Sequence, residues 1–312
     1  MEPRQQEQKS KIKWIFYAGY LVDFERIYDQ IGITQLLGAK VAHAIDPAQP
    51  DGGACCIEIS SEGLPRPNLQ MNDIFRKYMN QEDFFDPEED PPTNNHLLVI
   101  NKVIKVDSEG KKLRVLTEGI KNTSLQHILN QKGKIPETEA VKMFAQLVRA
   151  LEQIAEMQKV LSQLHPSFLM LDLKGDIKLS PVIFLNDEDW RSRAYTCPVS
   201  KGTPLSRMLW NAGVILFEML IGRLPWDGNT IGTDMFPPSI TEDQFSELIR
   251  ESNVSQETQT ILKKTLRIGE FDAIDASQLV EDVKQYKNRT LETTSVILFK
   301  KLLKVFITIY DD

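Results

Sequence analysis

Cysteine and histidine are scarce in this sequence. The 312 residues include three cysteines, Cys55, Cys56 and Cys197, and four histidines that are scattered along the chain. An adjacent pair of cysteines plus a distant single one does not make a disulfide framework, and a reducing compartment fits such a chain best. The cysteines and histidines also lack the spacing of a zinc site. Disulfide-rich and zinc-dependent classes are therefore excluded, and no metal is expected.

Long apolar runs are also missing. No stretch reaches the roughly 18 uncharged apolar residues of a membrane-spanning helix, and residues 1–14 lack the apolar core of a signal peptide. The nearest run, 209–226, contains Glu218 and Arg223, and we interpret it as a buried core helix. Basic residues are in the minority, because 37 Lys and Arg face 44 Asp and Glu, for a net charge of −7. This balance argues against nucleic acid as a partner, and we expect a cytoplasmic protein.

The patterns that are present predict a β-rich part followed by a helical part. Runs at 35–46 and 54–60 flank the turn "PAQPDGG" and predict one hairpin. Runs at 96–107 and 111–120 meet at "SEGK" and predict a second. From Ser124 onward the patterns are helical, apart from two short strands in "LDLKGDIKLS". We therefore predict an α+β fold with a small β-rich lobe and a larger α-helical lobe.

Two blocks resemble parts of the C-lobe of the eukaryotic protein kinases. The segment "LWNAGVILFEMLIGRLPWDG" is similar to the buried central helix of that lobe, and "LDLKGDIKLS" is similar to the strand pair after the catalytic loop. Their order and spacing also match, over about residues 30–290. The resemblance implies a two-lobed kinase-like fold. The alternative is an unrelated α/β protein that matches a few apolar helices by chance.

The resemblance places the family's catalytic loop on residues 161–168. The aspartate that accepts the substrate hydroxyl proton falls on Gln163, and the magnesium-binding asparagine falls on Phe168. Gln163 is neutral, and Phe168 has no ligand atom. His165 stands where the family often has a lysine. It could act as a replacement base, but a loop histidine without an orienting partner is more often an ordinary surface residue.

Other phosphate-binding and metal-binding positions of the family are also substituted. The magnesium-binding aspartate of the Asp-Phe-Gly motif falls on Pro181, and the phosphate-pairing lysine falls on Glu58, whose negative charge would repel ATP. The Gly-rich loop is shortened and keeps Gly38 alone, so no backbone cradle for phosphates is predicted. An active but misaligned kinase would need another catalytic aspartate, and Asp172 and Asp176 come too late in the strand pair.

Structural partners within the family are replaced together. The glutamate of the Ala-Pro-Glu motif falls on Val199, and its arginine partner falls on Ala273, so neither charge is left buried without the other. The central-helix aspartate that braces the catalytic loop falls on Met208. This pattern predicts that apolar packing replaces polar bracing while the fold is kept.

These substitutions lead to the hypothesis of a catalytically inactive pseudokinase, not an enzyme, that acts as a protein-binding scaffold or an allosteric partner. The alternative hypothesis is a nucleotide-sensing pseudokinase, or an enzyme of atypical chemistry, that uses the cleft between the lobes without magnesium. The hinge-like residues Thr117, Glu118 and Gly119 are the candidates for holding an adenine. Under the first hypothesis no cofactor is expected.

An acidic segment is the first candidate for protein binding. Residues 82–90 contain six acids in nine positions, around Phe84 and Phe85. Such a charge run is usually a solvated loop, and the two phenylalanines add a docking segment as the alternative.

The tail at 291–312 is the second candidate, because a helix there would carry a wide apolar face that includes Phe299, Leu302, Leu303 and Phe306. The tail would pack on its own lobe, enter a groove on a partner or, less readily, bind a membrane surface. Its β-branched residues also permit a strand. Other proteins are the expected partners, with an active kinase or a cytoskeletal or signalling complex as candidates.

The predicted domain organisation has four parts. An N-terminal extension covers 1–28, and a kinase-like N-lobe covers 29–118 with an acidic insertion at 82–95. A kinase-like C-lobe covers 119–290, and the hydrophobic and basic tail follows.

Overall fold

The computed structural model describes a β-sheet that is followed in the chain by a helical part. The residues that it describes are 15–17, 19–28, 40–45, 47–48, 53–60, 96–98, 100–105, 112–156, 164–180, 194–195, 197, 203–226, 239–250, 252–268, 278–279, 281–283 and 285.

The first part is a six-stranded sheet in which every pair of neighbouring strands is antiparallel. Its strands lie in the order β1-β2-β3-β4-β6-β5. This order follows the chain except that β5 lies outside β6. The strands are β1 (Ile15–Tyr17), β2 (Tyr20–Tyr28), β3 (Lys40–Ile45), β4 (Ala54–Ser60), β5 (Ile100–Lys105) and β6 (Lys112–Glu118).

Both predicted hairpins are present. Strand β3 pairs with β4, so that Val41 lies opposite Ile57, and β5 pairs with β6. A further hairpin, β1–β2, lies inside the predicted N-terminal extension 1–28, and β2 joins the sheet beside β3. Gly19 in its tight connection has a φ of 97°, a conformation that glycine adopts without steric cost. Residues 15–17 and 19–28 therefore take part in the same sheet as the predicted N-lobe.

The two faces of the sheet have different surroundings, because successive side chains of a strand point to opposite faces. One face, here called the outer face, carries a small apolar cluster that consists of Val22, Ala42, Ala44, Ala54, Cys56 and Leu116. The other, here called the inner face, carries Cys55, Ile57 and Val115, which belong to the main core together with residues of the helical part. The inner face is therefore the one directed at the helices.

The second part combines a small sheet with helices. Strands β7 (Ile120–Ser124), β8 (Leu169–Asp172) and β9 (Ile177–Leu179) form a three-stranded sheet, and a short helical turn, Pro166–Phe168, precedes β8. The α-helices are α1 (Leu125–Lys132), α2 (Glu137–Glu156), α3 (Pro204–Ile221), α4 (Glu242–Ile249) and α5 (Gln256–Leu266). Helix α3 packs against both α2 and α5.

Helix α3 lies at the centre of the helical part. The Thr203 side chain accepts a hydrogen bond from Ser206 N, Pro204 occupies the first turn, and Gly222 ends the helix in the left-handed conformation. By length and composition it is the one helix of the described residues that could cross a membrane, and 72% of its apolar window is buried inside the protein. The prediction of a buried core helix here is confirmed.

A carboxylate joins α2 to the start of α5. Glu137 Oε1 accepts hydrogen bonds of 2.5 Å from both Ser255 Oγ and Thr258 Oγ1, and Ser255 N donates to the same carboxylate at 3.2 Å. Donors at the N-terminus of a helix have no partner within the helix and favour a negative charge. Glu137 therefore fixes two helices that are far apart in the sequence.

The prediction of an α+β fold with a small β-rich lobe and a larger helical lobe is confirmed. We call the six-stranded sheet the N-lobe and the part from β7 onward the C-lobe. The boundaries of the four predicted domains stay predictions. The acidic insertion at 82–95 and the tail at 291–312 lie outside the described residues.

Candidate functional site

The two lobes are joined by the segment from Thr117 to Ile120. Thr117 is fully buried at the end of β6, and its Oγ1 donates a hydrogen bond of 2.9 Å to the carbonyl oxygen of Glu118. Glu118 and Gly119 follow, and Ile120 begins β7. The three candidate hinge residues thus do form the connection between the lobes. Whether they hold an adenine stays a prediction.

A second contact ties the inner face of the N-lobe to this connection. Cys55 lies directly opposite Thr117 in the β4–β6 pair, and its thiol donates to the carbonyl oxygen of Ile120 over 3.7 Å. Burial raises the pKa of Cys55 to about 11, so the thiol stays protonated and remains a donor at neutral pH. The two side chains thus donate to backbone carbonyl oxygens of the connection, Thr117 to that of Glu118 and Cys55 to that of Ile120.

The sheet register changes the role predicted for Glu58. Glu58 lies opposite Arg114, and the two form an ion pair of 2.9 Å. Residues directly opposite each other in an antiparallel pair point to the same face of the sheet, so Glu58 and Arg114 share a face. Along β4 the side chains alternate between the faces, and Cys55 and Ile57 point to the inner one. Cys56 and Glu58 therefore point to the outer face. Ile57 is therefore the residue on the inner face, and Glu58 lies on the opposite face of the sheet. The predicted repulsion between Glu58 and ATP does not fit this geometry.

The described part of the catalytic-loop segment is held by its own hydrogen bonds. His165 Nδ1 accepts a hydrogen bond of 3.1 Å from Ser167 N, and it lies 3.0 Å from Ser167 Oγ. Burial lowers the pKa of His165 to about 4, so its imidazole is neutral at pH 7. Phe168 is fully buried at the end of the helical turn. His165 therefore has an orienting partner, although none was expected from the sequence.

The His165 ring also packs against Tyr195, which is hydrogen-bonded to the central helix. Tyr195 packs edge-to-face on His165 with ring centroids 4.9 Å apart, and the Tyr195 hydroxyl donates a hydrogen bond of 2.6 Å to Glu218 Oε2 on α3. Burial raises the pKa values of both Tyr195 and Glu218. The contacts connect the catalytic-loop segment to the central helix through one tyrosine.

The remaining predicted site residues divide into two groups. Met208 is fully buried on α3, as apolar packing in place of a polar brace requires. Ten other predicted positions lie outside the described residues, so their assignments stay predictions. They are Gln163, Pro181, Val199 and Ala273 of the kinase motifs, and Phe84, Phe85, Phe299, Leu302, Leu303 and Phe306 of the interaction candidates.

A magnesium ion does not fit the residues that can be placed. Phe168, at the position of one family ligand, has no ligand atom and is fully buried. Within the described ranges, no group of three or more His, Cys, Asp or Glu side chains could hold a metal ion. Phe168 therefore contributes no ligand to a magnesium ion at this position.

Three functional candidates escaped the sequence analysis. Cys55 was not recognised as an inner-face residue, Tyr195 was not linked to Glu218, and Lys178 was not linked to the hinge, where its Nζ lies 3.0 Å from Glu118 Oε1. The alternation along β4 could have revealed Cys55 once the face of Thr117 was known. No short-range pattern connects the residues of the other two pairs.

Comparison with known proteins points to one enzyme class. Serine/threonine-protein kinase GIN4 of Saccharomyces cerevisiae is 27% identical over 168 residues, which are 50% of this chain and 15% of the relative. The carbon catabolite-derepressing protein kinase of Candida albicans is 25% identical over 201 residues, 60% of this chain and 31% of the relative. Testis-specific serine/threonine-protein kinase 1 of Mus musculus is 31% identical over 155 residues, 44% of this chain and 42% of the relative.

The matched region thus spans less than half the length of these relatives. No family model matches the chain.

These relatives contradict the prediction of a catalytically inactive pseudokinase scaffold that is not an enzyme. They are named as protein kinases, and none of the three carries a name that denotes an inactive or scaffolding protein. The same finding overturns the alternative of a nucleotide-sensing pseudokinase or an enzyme of atypical chemistry. The prediction rested on substituted motif positions, and most of these lie outside the described residues.

Proposed function

Because this chain has a two-lobed protein-kinase-like fold, we propose that it transfers the γ-phosphoryl group of ATP to serine or threonine hydroxyls of proteins. The observation that carries the proposal is the match to protein kinases over 155 to 201 residues. Two of the three relatives are named as serine/threonine-protein kinases. The position of the hinge supports it, because Thr117, Glu118 and Gly119 lie in the segment that connects the two lobes.

The substitutions in the catalytic loop lower the expected rate of phosphoryl transfer. Phosphoryl transfer depends mainly on positioning and on electrostatic stabilisation, so a loop of the right shape retains part of the catalysis. A general base contributes a factor of about 10² to 10⁴, and the neutral side chain of Gln163 cannot accept a proton. We therefore propose a slow kinase, whose loop positions the acceptor hydroxyl by hydrogen bonding.

The proposal contains no step that runs through a protein-bound metal. Phe168 offers no ligand, as described above, and no group of metal-binding side chains is found among the residues that the structure places. The chain's own residues contribute the hinge, the inner face of the N-lobe and the catalytic-loop segment with the neutral His165.

Protein substrates and a cytoplasmic location complete the proposal. The cysteines Cys55, Cys56 and Cys197 are buried and form no disulfide, which suits a reducing compartment. Candidate protein-binding segments are the acidic residues 82–90 and the tail at 291–312, and both stay predictions. The acidic net charge of −7 supports protein rather than nucleic acid as the partner.

The test is a long-duration transfer assay with ATP labelled at the γ-phosphate. The full chain would be incubated with a mixture of serine- and threonine-containing peptides, with and without magnesium, and the labelled amino acid would be identified after hydrolysis. We expect slow labelling of serine and threonine, and a lower rate for Gln163→Ala. The variant distinguishes this chain from a contaminating kinase, whose activity would not change.

Two results would overturn the proposal. One is the absence of labelling above that of heat-treated protein after many hours. The other is labelling that proceeds equally with the wild-type chain and with Gln163→Ala, since a contaminant would then be its source.

A further inference from the structure

Strand β1 forms one edge of the N-lobe sheet and leaves part of its backbone without a partner. It pairs with β2 on one side, where Tyr17 lies opposite Tyr20 across a two-residue turn. No strand of the described residues lies on its other side. The pair that flanks such a turn is hydrogen-bonded, and bonded and non-bonded pairs alternate along an antiparallel ladder. The next pair, Phe16 and Leu21, is therefore non-bonded, so the N–H and C=O groups of Phe16 point towards the open edge.

The side chains of this edge strand are apolar and exposed. Ile15 and Phe16 are 41% and 68% exposed, and Leu173 is the one other large apolar side chain of the described residues with comparable exposure. Proteins usually protect a sheet edge with a charged residue or a proline. Strand β1, Ile-Phe-Tyr, contains neither, whereas the strand at the other edge, β5, contains Lys102 and Lys105. The β1 edge is thus the one that can accept another strand.

Phe16 also ends an apolar row that crosses three strands. Phe16 lies opposite Leu21, and Leu21 lies opposite Ile45. Residues directly opposite each other share a face of the sheet. Their neighbours Val22 and Ala44 belong to the outer-face cluster, so the row lies on the other face. Leu21 and Ile45 are partly buried and Phe16 is mostly exposed, so the row lacks its next member at the edge.

We propose that β1 pairs with the β1 strand of a second copy of this chain, antiparallel and about a twofold axis at Phe16. One register uses all three residues of both strands. In it, Phe16 lies opposite the second copy's Phe16, and Ile15 lies opposite the second copy's Tyr17. The outward N–H of each Phe16 then donates to the C=O of the other, and the two six-stranded sheets join into one continuous sheet.

A second copy fits this edge better than an unrelated strand does. The twofold axis continues the apolar row, because Ile45, Leu21 and Phe16 of one copy meet the same three residues in reverse order. The pairing brings no like charges together, since β1 carries no charge. A twofold contact of this kind is self-complementary and closed, so both copies lose their open β1 edge in one step.

The size of the contact predicts a weak dimer. Stable specific interfaces bury about 1,200–2,000 Å² in total, and two three-residue strands with one exposed phenylalanine each provide less than that. The dimer should therefore form reversibly, and its fraction should rise with the protein concentration. The association needs neither nucleotide nor phosphoryl transfer, so it goes beyond the proposed function and does not rest on it.

The first measurement is sedimentation velocity of the full chain, from low micromolar to several hundred micromolar protein. We expect a reversible monomer–dimer equilibrium. Phe16→Asp places a negative charge opposite its own copy and should raise the dissociation constant of the dimer at least about tenfold. Leu173→Asp is the matched control, because it changes an exposed apolar side chain of the C-lobe, and it should leave the constant unchanged. Circular dichroism verifies that both variants fold.

Disulfide trapping tests the register and does not depend on the aspartate variant. The two Cα atoms of a hydrogen-bonded pair are about 5.5 Å apart, within the roughly 4.4–6.8 Å that a disulfide spans. We expect Phe16→Cys to form a covalent dimer under mild oxidation. Ile15→Cys is the matched control, because the two residues at position 15 are offset by two residues, about 6.8 Å along the strands, in addition to the spacing between the strands. The native cysteines are buried and stay in place in both variants.

Three results would overturn the proposal. The first is a wild-type chain that stays monomeric over the whole concentration range. The second is a dimer that Phe16→Asp weakens no more than Leu173→Asp does, since the contact would then lie elsewhere. The third is equal trapping of Phe16→Cys and Ile15→Cys, because two β1 strands in the proposed register would bring only the cysteines at position 16 together.

Discussion

Gly213 on α3 and Thr265 on α5 are so close that a Cβ atom on residue 213 would lie 2.6 Å from Thr265 Oγ1 and 2.7 Å from Thr265 Cβ. The threonine cannot easily turn away, because its hydroxyl donates to the carbonyl oxygens of Ile261 and Leu262 at 2.9 and 3.0 Å. A glycine in a helix interior costs about 1 kcal/mol relative to alanine. Here it allows the central helix to touch its neighbour.

We expect Gly213→Ala to destabilise the protein. Overpacking in a well-packed core costs about 1–3 kcal/mol, which equals or exceeds the gain of about 1 kcal/mol in helix propensity. Because the Cβ would lie only 2.6 Å from Thr265 Oγ1, the cost should fall in the upper part of this range, and the free energy of unfolding, measured by urea denaturation, should decrease by about 1–2 kcal/mol. Thr265→Gly should partly rescue the variant in a double-mutant cycle, whereas Thr265→Ser, which keeps both close atoms, should not. A fully neutral Gly213→Ala would contradict the packing.

Acidification should destabilise the fold through its two buried histidines. Burial lowers the pKa values of His96 and His165 from 6.5 to about 4. Between these pH values the unfolded chain binds more protons than the folded one, so stability is complete above pH 6.5 and is lost as the pH falls towards 4. Each histidine accounts for up to about 3 kcal/mol of this loss.

The measurement is the difference in unfolding free energy between pH 7 and pH 5 for wild type and for His165→Asn. Asparagine can still accept a hydrogen bond from Ser167 N as a helix cap, so the turn should be retained. We expect the pH-dependent loss to be smaller in the variant than in the wild type. An identical loss would show that His165 titrates normally in the folded protein.

Cys55→Ala should strengthen nucleotide binding if the cleft holds ATP. The change removes the thiol that donates to the Ile120 carbonyl oxygen and enlarges the space beside the hinge. Removal of a competing neutral hydrogen bond of about 0.5–1.5 kcal/mol should raise the affinity roughly two- to tenfold, as measured by calorimetry. Cys56→Ala is the matched control, because Cys56 lies in the outer-face cluster. An equal effect of both changes would contradict the assignment of the faces.

Gln163→Asp should accelerate phosphoryl transfer. It restores the side chain that accepts the hydroxyl proton in the kinases that this chain resembles, and a general base is worth a factor of about 10² to 10⁴. Initial rates of peptide labelling would be compared with those of Gln163→Asn, which changes the length of the side chain without adding a base. A gain for the aspartate variant alone is the expected outcome. Equal rates for both variants would place the catalytic groups elsewhere.

The fold could be predicted where local patterns determine it. The turns "PAQPDGG" and "SEGK" marked the hairpins β3–β4 and β5–β6, and the apolar run around residue 213 marked α3. The hairpin in residues 15–28 was missed because its sequence was read as an extension, whereas pairing with β3 makes it part of the sheet. Pairing across the sheet depends on partners that a local pattern does not contain.

The site was less predictable because it depends on register and on distant contacts. Glu58 and Ile57 are neighbours in the sequence, yet a shift of one residue moves a side chain to the opposite face of a strand. The Lys178–Glu118 ion pair and the Tyr195–Glu218 hydrogen bond join residues that no spacing rule connects. Only the sheet register and the packing of the helices bring these side chains together.

The division of the core between the lobes has a consequence for synthesis on the ribosome. The N-lobe strands are complete at residue 118, but their inner face packs into a core whose last described helix, α5, ends at residue 266. Translation at about 5–20 residues per second separates these points by roughly 7 to 30 seconds. During that interval the nascent chain presents Cys55, Ile57 and Val115 to water, so its demand for a chaperone should peak before the C-lobe emerges.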